Sequence, residues 1–517
     1  PAAAAPPGGH ACGGSHAGRV KKPRAYRAAA GGGKLVWIDP AGVFYTRPPA
    51  GRWTCSASAG DPGPPPAADC TAKEGAPAVN VWLLHVGEEL PVDGATRRFR
   101  YGHLAEALTR RGHTVLRWAP TFNHARKRQR FDTDRLVTPA PGYQTQFVHA
   151  AGYTRNASLA RLLCYRRLAR GFARLVPQHD RPDVILSGIP SLEWCGAGLR
   201  YARRVNAPFV LDVRDLWPDV LRTALPRWLR PAADAALTPY RHAARRVCRG
   251  AAAVTAVSQR YLGWALDHAR RDATDHDAVI PIGYAPAPLD DRAREERLAW
   301  LRRQGVDPAK TLCCYFGLFE KSYDLATVID AATRFEARGR RDVQFVLCGA
   351  GGDEQRLRAR AAGLANTVVL GWVDQPTIAT LMSTAAVGLA SYAPGALQSL
   401  PNKPFEYMAG GLAVVSSLPG ELARLIEDHR CGVNYRAGDA ASLHGGLSEL
   451  LGDRGRLQAC GKNAAALFAD RFEATALADR FAGLLERVAA THRPAASHRP
   501  CPAQTTRPAQ TTRPAAA

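Results

Sequence analysis

The sequence has no apolar run long enough to span a membrane, and no basic start followed by an apolar run of the signal-peptide kind. Such a chain is expected to stay in the cytoplasm. Its 12 cysteines are scattered, with neither a CxxC pair nor the Cys/His spacing of a zinc site, so they read as reduced core thiols rather than a disulfide framework. Acidic residues are few, 45 against 69 Lys and Arg, which leaves a formal net charge of +24. The excess is almost all arginine, spread with alanine through helices and gathered in the tails. No basic motif interleaved with aromatics accompanies it, which argues against nucleic acid and for anionic lipid or phosphorylated substrates. No Gly-x-Gly-x-x-Gly follows the first strand, so the sequence does not indicate NAD. No carboxylate pair of the kind a glycoside hydrolase needs stands out.

What is present suffices for two or three domains, because 517 residues with 46% hydrophobic content can build large cores. Residues 1–76 are rich in Ala, Gly and Pro around one apolar island at 35–38, and are expected to be disordered. The tail over 493–517, with its repeated Pro-Ala-Gln-Thr-Thr-Arg, carries the same expectation. Between them apolar strands alternate with amphipathic helices, the pattern of an α/β fold with parallel sheets. The alternation divides into a first Rossmann-like domain over 77–284, a linker over 285–310 and a second such domain over 311–470. A closing helix over 471–492 follows.

The chain is organised around residues 399–420. Pro401, Asn402 and Pro404 open a short helix, Gly410 and Gly411 close it, and an apolar strand follows at 412–415. A helix that starts beside a parallel sheet offers free amides and a positive dipole end to a diphosphate. Lys403 adds a full charge, and Glu406 lies one turn in, where a carboxylate can accept two ribose hydroxyls. Local features alone also fit an ordinary capped helix with a solvated glutamate. A strand at 208–213 ends in Arg214 and Asp215, placed where ligands of open α/β sheets bind, or else a buried ion pair. The loop 87–94 follows the first strand and suits close approach to a ligand, or a plain turn. Gly349 to Gly352 form a Gly-rich turn, and Arg-Lys-Arg-Gln-Arg at 126–130 reads as a solvated charge cluster. Residues 221–249 carry Trp228, Leu229 and seven arginines. That stretch suits either a membrane surface or a solvated face over a core stripe.

Taken in order, several short motifs resemble one family. They are His85-Val86-Gly87-Glu88 with Asp93-Gly94, Arg110-Arg111-Gly112-His113, Arg214-Asp215-Leu216-Trp217-Pro218, Ala256-Val257-Ser258, Pro281-Ile282-Gly283-Tyr284, Tyr315-Phe316-Gly317 with Lys321, Gly371-Trp372-Val373, and Pro401-Asn402-Lys403-Pro404-Phe405-Glu406-Tyr407. Residues 79 to about 490 are similar to the retaining GT-B glycosyltransferases of family four, in the branch that builds bacterial surface polysaccharides. The resemblance implies two Rossmann-like domains facing a cleft. It also implies transfer from a nucleotide sugar, expected to be UDP-linked, to a saccharide or lipid-linked acceptor. Neither a cofactor nor a metal is expected.

By the same resemblance Glu406 holds the donor ribose, Lys321 stabilises the leaving diphosphate, and Gly371 to Val373 line the base. Gly317, Pro401, Asn402 and Lys403 belong to the donor site, and Gly87, Asp93 and Gly94 to the acceptor and sugar loop. Arg214 takes a position often held by histidine near the reacting carbon, with Asp215 beside it. Gln398 stands where the family has the first of two glutamates, and Leu318 where many relatives have arginine. An epimerase of the same architecture and a non-catalytic nucleotide-sugar binding module are the alternatives.

Overall fold

The computed structural model describes residues 36–38, 44–46, 54–55, 77–94, 97–155, 158–223 and 226–492. In the first unit, Pro1–Ala76, three short strands pair antiparallel: Val36–Ile38, Phe44–Thr46 and Thr54–Cys55. The apolar island at 35–38 supplies the first of them, against the expectation of disorder. The rest of 1–76, and all of 493–517, lie outside the described residues.

The second unit, Pro77–Ala517, is built on two parallel sheets. The first contains β1 (Asn80–Leu84), β2 (Thr114–Pro120), β3 (Arg135–Ala140), β4 (Tyr143–Val148), β5 (Val184–Gly188), β6 (Phe209–Val213), β7 (Ala253–Ala256) and β8 (Ala278–Val279). Their order is β8-β7-β6-β5-β1-β2-β4-β3. Only β3 runs antiparallel, as an edge strand against β4. Sequence patterning missed β3 because its side chains are almost all exposed and show no apolar alternation. The second sheet contains β9 (Thr311–Phe316), β10 (Val343–Cys348), β11 (Thr367–Gly371), β12 (Val387–Ala390), β13 (Ala413–Ser416) and β14 (Gly432–Asn434). All its strands are parallel, in the order β11-β10-β9-β12-β13-β14. Strands such as β10 are buried along their whole length. Helices cover both faces of such a sheet, so its strands read as continuous apolar runs.

The helices used below are α1 (Arg100–Arg110), α2 (Leu159–Leu175), α3 (Leu192–Arg204), α4 (Arg230–Gly250), α5 (Gln259–Ala269), α6 (Asn402–Ala409), α7 (Glu421–Asp428) and α8 (Ala474–His492). The last of these returns to the first domain. Leu477, Phe481, Leu485 and Val488 of α8 share one core with Leu104 and Leu108 of α1 and with Val81 and Leu83 of β1. Arg110, Arg111 and His113 seal its rim by pairing with Asp479 and Glu486.

Beneath that contact Arg100 donates two hydrogen bonds to the Asp212 carboxylate, at 3.0 and 2.9 Å. Two more, each 2.8 Å, go to the carbonyls of Ile280 and Pro281. Thr255 completes Asp212 at 2.8 Å, and the guanidinium lies 4.7 Å from the Phe481 ring centre. One buried cation thus joins α1, β6, the exit from the first sheet and α8. Removing one member of a buried pair leaves the other charge uncompensated, at about 3–5 kcal/mol, whereas an exposed pair contributes about 1 kcal/mol or less. Asp212→Ala is therefore expected to lower the thermal midpoint by many degrees, and Arg110→Ala, which breaks the exposed pair with Asp479, by only a few. Similar midpoints in calorimetry would contradict this reading.

Candidate functional site

In the second sheet the strand order reverses between β9 and β12. Ligands of open α/β sheets bind in the crevice beyond the carboxyl ends at that point. The loop after β9 carries Gly317 and Lys321, and the loop after β12 carries Gln398 and Pro401 into α6. Gly317 has φ +145°, and a Cβ there would run into the Lys403 side chain. Lys403 itself sits over the Tyr323 ring, its Nζ 3.7 Å from the ring centre. The sheet edge draws three glycines together, since Gly317 N donates to Cys348 O at 2.9 Å and Gly349 N to Gly371 O at 2.6 Å. A Cβ on Gly349 would strike the Gly317 carbonyl, and one on Gly351 the Phe319 backbone. The Gly-rich turn thus lets two backbone loops touch. Beyond Gly371, Val373 is buried while the Trp372 ring is 75% exposed.

Two amide oxygens here are buried without a hydrogen-bond partner among the described residues, Gln398 Oε1 and Asn402 Oδ1. A buried acceptor left unmet costs about 1–3 kcal/mol, so the site is primed for ligand donors. Glu406 points toward the first domain, where one of its oxygens accepts from Arg97 Nη2 at 2.8 Å. Arg97 also lies 5.2 Å from the Tyr284 ring centre, and the Tyr284 hydroxyl accepts from Gln375 at 3.1 Å. A second contact between the domains forms at Glu421, which accepts from the Gln259 amide at 3.0 Å and from the Ser399 hydroxyl at 2.8 Å. Arg260 adds a bond to the Leu397 carbonyl at 3.3 Å. The start of α5 in the first domain thereby holds the loop that presents Gln398. Lys321 is exposed and lines a cavity of about 400 Å³ with Tyr323, Asp324 and Arg356. Leu318 is exposed beside it.

Across from this edge the loop after β1 brings His85 and Glu88 to Arg214 at the end of β6. The Glu88 carboxylate lies between Arg214, at 2.6 Å, and Arg117, at 2.9 Å, and also accepts from the Tyr101 amide at 3.1 Å. Burial works to raise its pKa, but the two guanidiniums prevail and hold it at about 2. For His85, burial first and the Arg214 charge second push the imidazole well below its ordinary range, so it is neutral. It stacks on Tyr101, with ring centres 4.7 Å apart. Arg214 does not pair with Asp215, as the sequence allowed; it pairs with Glu88. Burial pushes the Asp215 carboxyl up.

Asp93 is turned inward, held by both arms of Arg130 at 2.8 Å and by the Leu90 amide at 2.8 Å. It braces the loop and has no open face for a sugar. Gly94 takes the left-handed φ of +70° that ends the turn, and Gly87 is uncrowded. The cluster at 126–130 is likewise structural, with Arg126 on Glu89 and Arg130 on Asp93. In the 221–249 stretch, Arg222 and Arg241 are tied to Asp234, and Arg241 also to Asp219, while Trp228 is 77% exposed. Sequence reading missed Arg97 and Glu421, whose partners lie 309 and 162 residues away; no local pattern marks either. Among the described residues no group of three or more His, Cys, Asp or Glu is placed to hold a metal ion.

Residues 310–453 match the family described as "Glycosyl transferases group 1". No curated protein matches the chain. Sucrose-phosphate synthase from Thermosynechococcus elongatus is similar in fold, with 17% identity and a TM-score of 0.61 over 80% of this chain and 100% of that one. Anabaena HepE in complex with UDP has 15% identity and a TM-score of 0.55 over 79% and 100%. The E. coli structure described as trehalose-6-phosphate bound with UDP-2-fluoro glucose has 12% identity and a TM-score of 0.58 over 79% and 99%. The fold is that of GT-B, and the family match over residues 310–453 supports a glycosyl-transferring domain.

The depressed Glu88 pKa sets a pH dependence. A carboxylate held below its ordinary 4.5 contributes stability that is complete above that value and is lost as pH falls toward about 2. The stability difference between the wild-type protein and Glu88→Gln is therefore expected to stay constant from neutral pH to about 5 and to shrink below it. Urea unfolding across that range measures it; a difference that does not change with pH would exclude the ionised network.

Proposed function

We propose that the chain is a retaining glycosyltransferase, moving a hexosyl group from a UDP-sugar to a saccharide or lipid-linked saccharide acceptor. Its place would be cell-envelope polysaccharide assembly, at the cytoplasmic face of the membrane. The observation that carries this reading is the pair of unmet buried acceptors, Gln398 Oε1 and Asn402 Oδ1. They stand with Lys403 and Glu406 at the switch point of the domain that matches glycosyltransferases. Sugar hydroxyls are the donors such oxygens lack. The solved structures of HepE with UDP, with UDP and glucose, and with UDP-glucose support a uridine donor.

The chemistry then follows from charge. The bond between the anomeric carbon and the β-phosphate oxygen breaks, leaving negative charge on the diphosphate. The amides at the start of α6, Lys403 and Lys321 stabilise that charge. The acceptor oxygen attacks from the face the phosphate leaves, and its proton passes to the departing phosphate oxygen. Gln398, an amide where relatives carry a carboxylate, orients the sugar by hydrogen bonds alone. Arg214 is an electrostatic partner for the reacting centre, because Glu88 fixes its guanidinium and it has no basic lone pair. His85, neutral and stacked, helps to position it.

Donor binding on this reading requires Arg97 to release Glu406. In calorimetry with UDP, Glu406→Ala should weaken binding at least tenfold, since hydrogen bonds to a charged group contribute about 1.5–3 kcal/mol each. Arg97→Ala should tighten it. Equal affinity in both variants would remove the ribose role. In kinetic assays with a panel of UDP-sugars and lipid extract, Lys321→Ala should lower kcat more than it raises KM, because its charge matters most as the diphosphate departs. Activity should also survive EDTA; loss in chelator with recovery in magnesium would replace protein cations by a metal in this scheme.

A further inference from the structure

A cavity of about 360 Å³ lies in the first domain between α1 and the hairpin of β3 and β4. Gly102, Glu106 and Thr109, at spacings of four and three on α1, form one wall, and Pro139 and Tyr143 form the other. Gly102 leaves its wall open, since a Cβ there would meet only the Arg98 Cβ, at 3.7 Å. Arg97 and Phe99 line the end from which Arg97 reaches Glu406 of the second domain. In size, and in its mixture of rings with a few polar groups, the cavity suits a small molecule.

Charge decides what it takes. The other charged groups of the lining pair within the first domain: Glu106 with Arg98 at 3.3 Å, Glu89 with Arg126 at 2.8 Å, and Arg117 with Glu88 at 2.9 Å. Arg97 alone among them is paired across the domains, through one bond of 2.8 Å from Nη2 to Glu406. Its guanidinium lies 5.7 Å from the ring centre of Phe99, which lines the cavity, and 5.2 Å from that of Tyr284, which does not. Arg97 therefore stands between two places for an anion. A neutral ligand offers the guanidinium nothing to match Glu406, whereas a carboxylate or phosphate in the cavity can take it by two parallel bonds. The Phe99 and Tyr143 rings suit the apolar face of a sugar ring beside that anion.

We infer that this cavity binds an anionic saccharide, whose acid group draws Arg97 away from Glu406 and so frees that carboxylate for the donor. The coupling rests on the donor role of Glu406 proposed above, while the binding itself does not. An acidic acceptor readies the donor site in this way, and by linkage the donor strengthens binding of the acid by the same factor.

Calorimetry with the full chain tests the inference, using glucuronate, glucose 6-phosphate and glucose as probes, each alone and together with UDP. One or both acids should bind, and glucose should bind more weakly than either acid that does. The tighter acid identifies the charge as carboxylate or phosphate. A bound acid should tighten UDP about fivefold or more, the lower end of ordinary coupling between sites. Glu406→Ala should bind the acid more tightly than the wild-type protein, opposite to its effect on UDP, because Arg97 is then released. Arg97→Gln should bind UDP with no response to the acid. Gly102→Leu fills the cavity from a helix that favours leucine over glycine. It should lose the acid while keeping its thermal midpoint and its affinity for UDP. Ala140→Phe repeats the filling from the hairpin should Gly102→Leu lose its fold. Binding of neither acid, glucose binding as well as both, or acid binding that survives both fillings would overturn the site. A bound acid that leaves UDP affinity unchanged would overturn the coupling. Acid binding that follows the expected pattern in Gly102→Leu and Glu406→Ala, in a protein that does not bind UDP, would leave the site standing and remove the donor reading above.

Discussion

The Arg100–Asp212 pair is the constraint on which the rest of the second unit depends. Its four guanidinium hydrogen bonds connect the first helix, the centre of the first sheet and the segment that leaves that sheet for the second domain. Phe481 stacks on the same cation, so the returning helix α8 is fixed by it too. A buried ion pair gains little over an apolar core of equal shape, but it accepts only one arrangement of its partners. Here that arrangement sets how the chain exits one domain and re-enters it, which brings the carboxyl ends of the two sheets toward each other.

Those two edges divide the chemistry. The second domain supplies groups suited to a bound anion and its sugar: a helix start, Lys403, two unmet amide oxygens and Glu406. The first supplies a rigid charge cluster in which Glu88 fixes Arg214 and Arg117, while burial and the Arg214 charge keep His85 neutral. Neither half is complete alone. Their contact through Arg97 and Glu406 places a cation of one domain on the carboxylate that the other would offer a ribose. With Glu406 in the donor role proposed above, donor binding and the relation between the domains would be coupled through one carboxylate.

Much of this was legible in the sequence because parallel sheets write themselves plainly. Strands buried on both faces appear as unbroken apolar runs, and the stretches at 208–213 and 412–415 fell within a residue of the observed strands. The exposed edge strand β3 was missed for the opposite reason, since neither face of it is fully buried. Glycine and proline placed the start and end of α6, as both act through their own backbone geometry.

Side-chain partners were a different matter, because charge pairing depends on what folding brings near and not on sequence neighbours. Arg214 and Asp215 are adjacent in the chain, yet Arg214 chose Glu88, 126 residues away, which burial left in need of a cation. Asp93 was drawn inward by Arg130 from a cluster that had read as solvated. The sequence alone settled the alternation of elements, the two sheets and the position of the α6 start, since these follow from local periodicity and backbone preference. The tertiary structure decided which acids are free to meet a ligand and which are consumed by an arginine, because a buried charge must find its counter-ion wherever the fold places one.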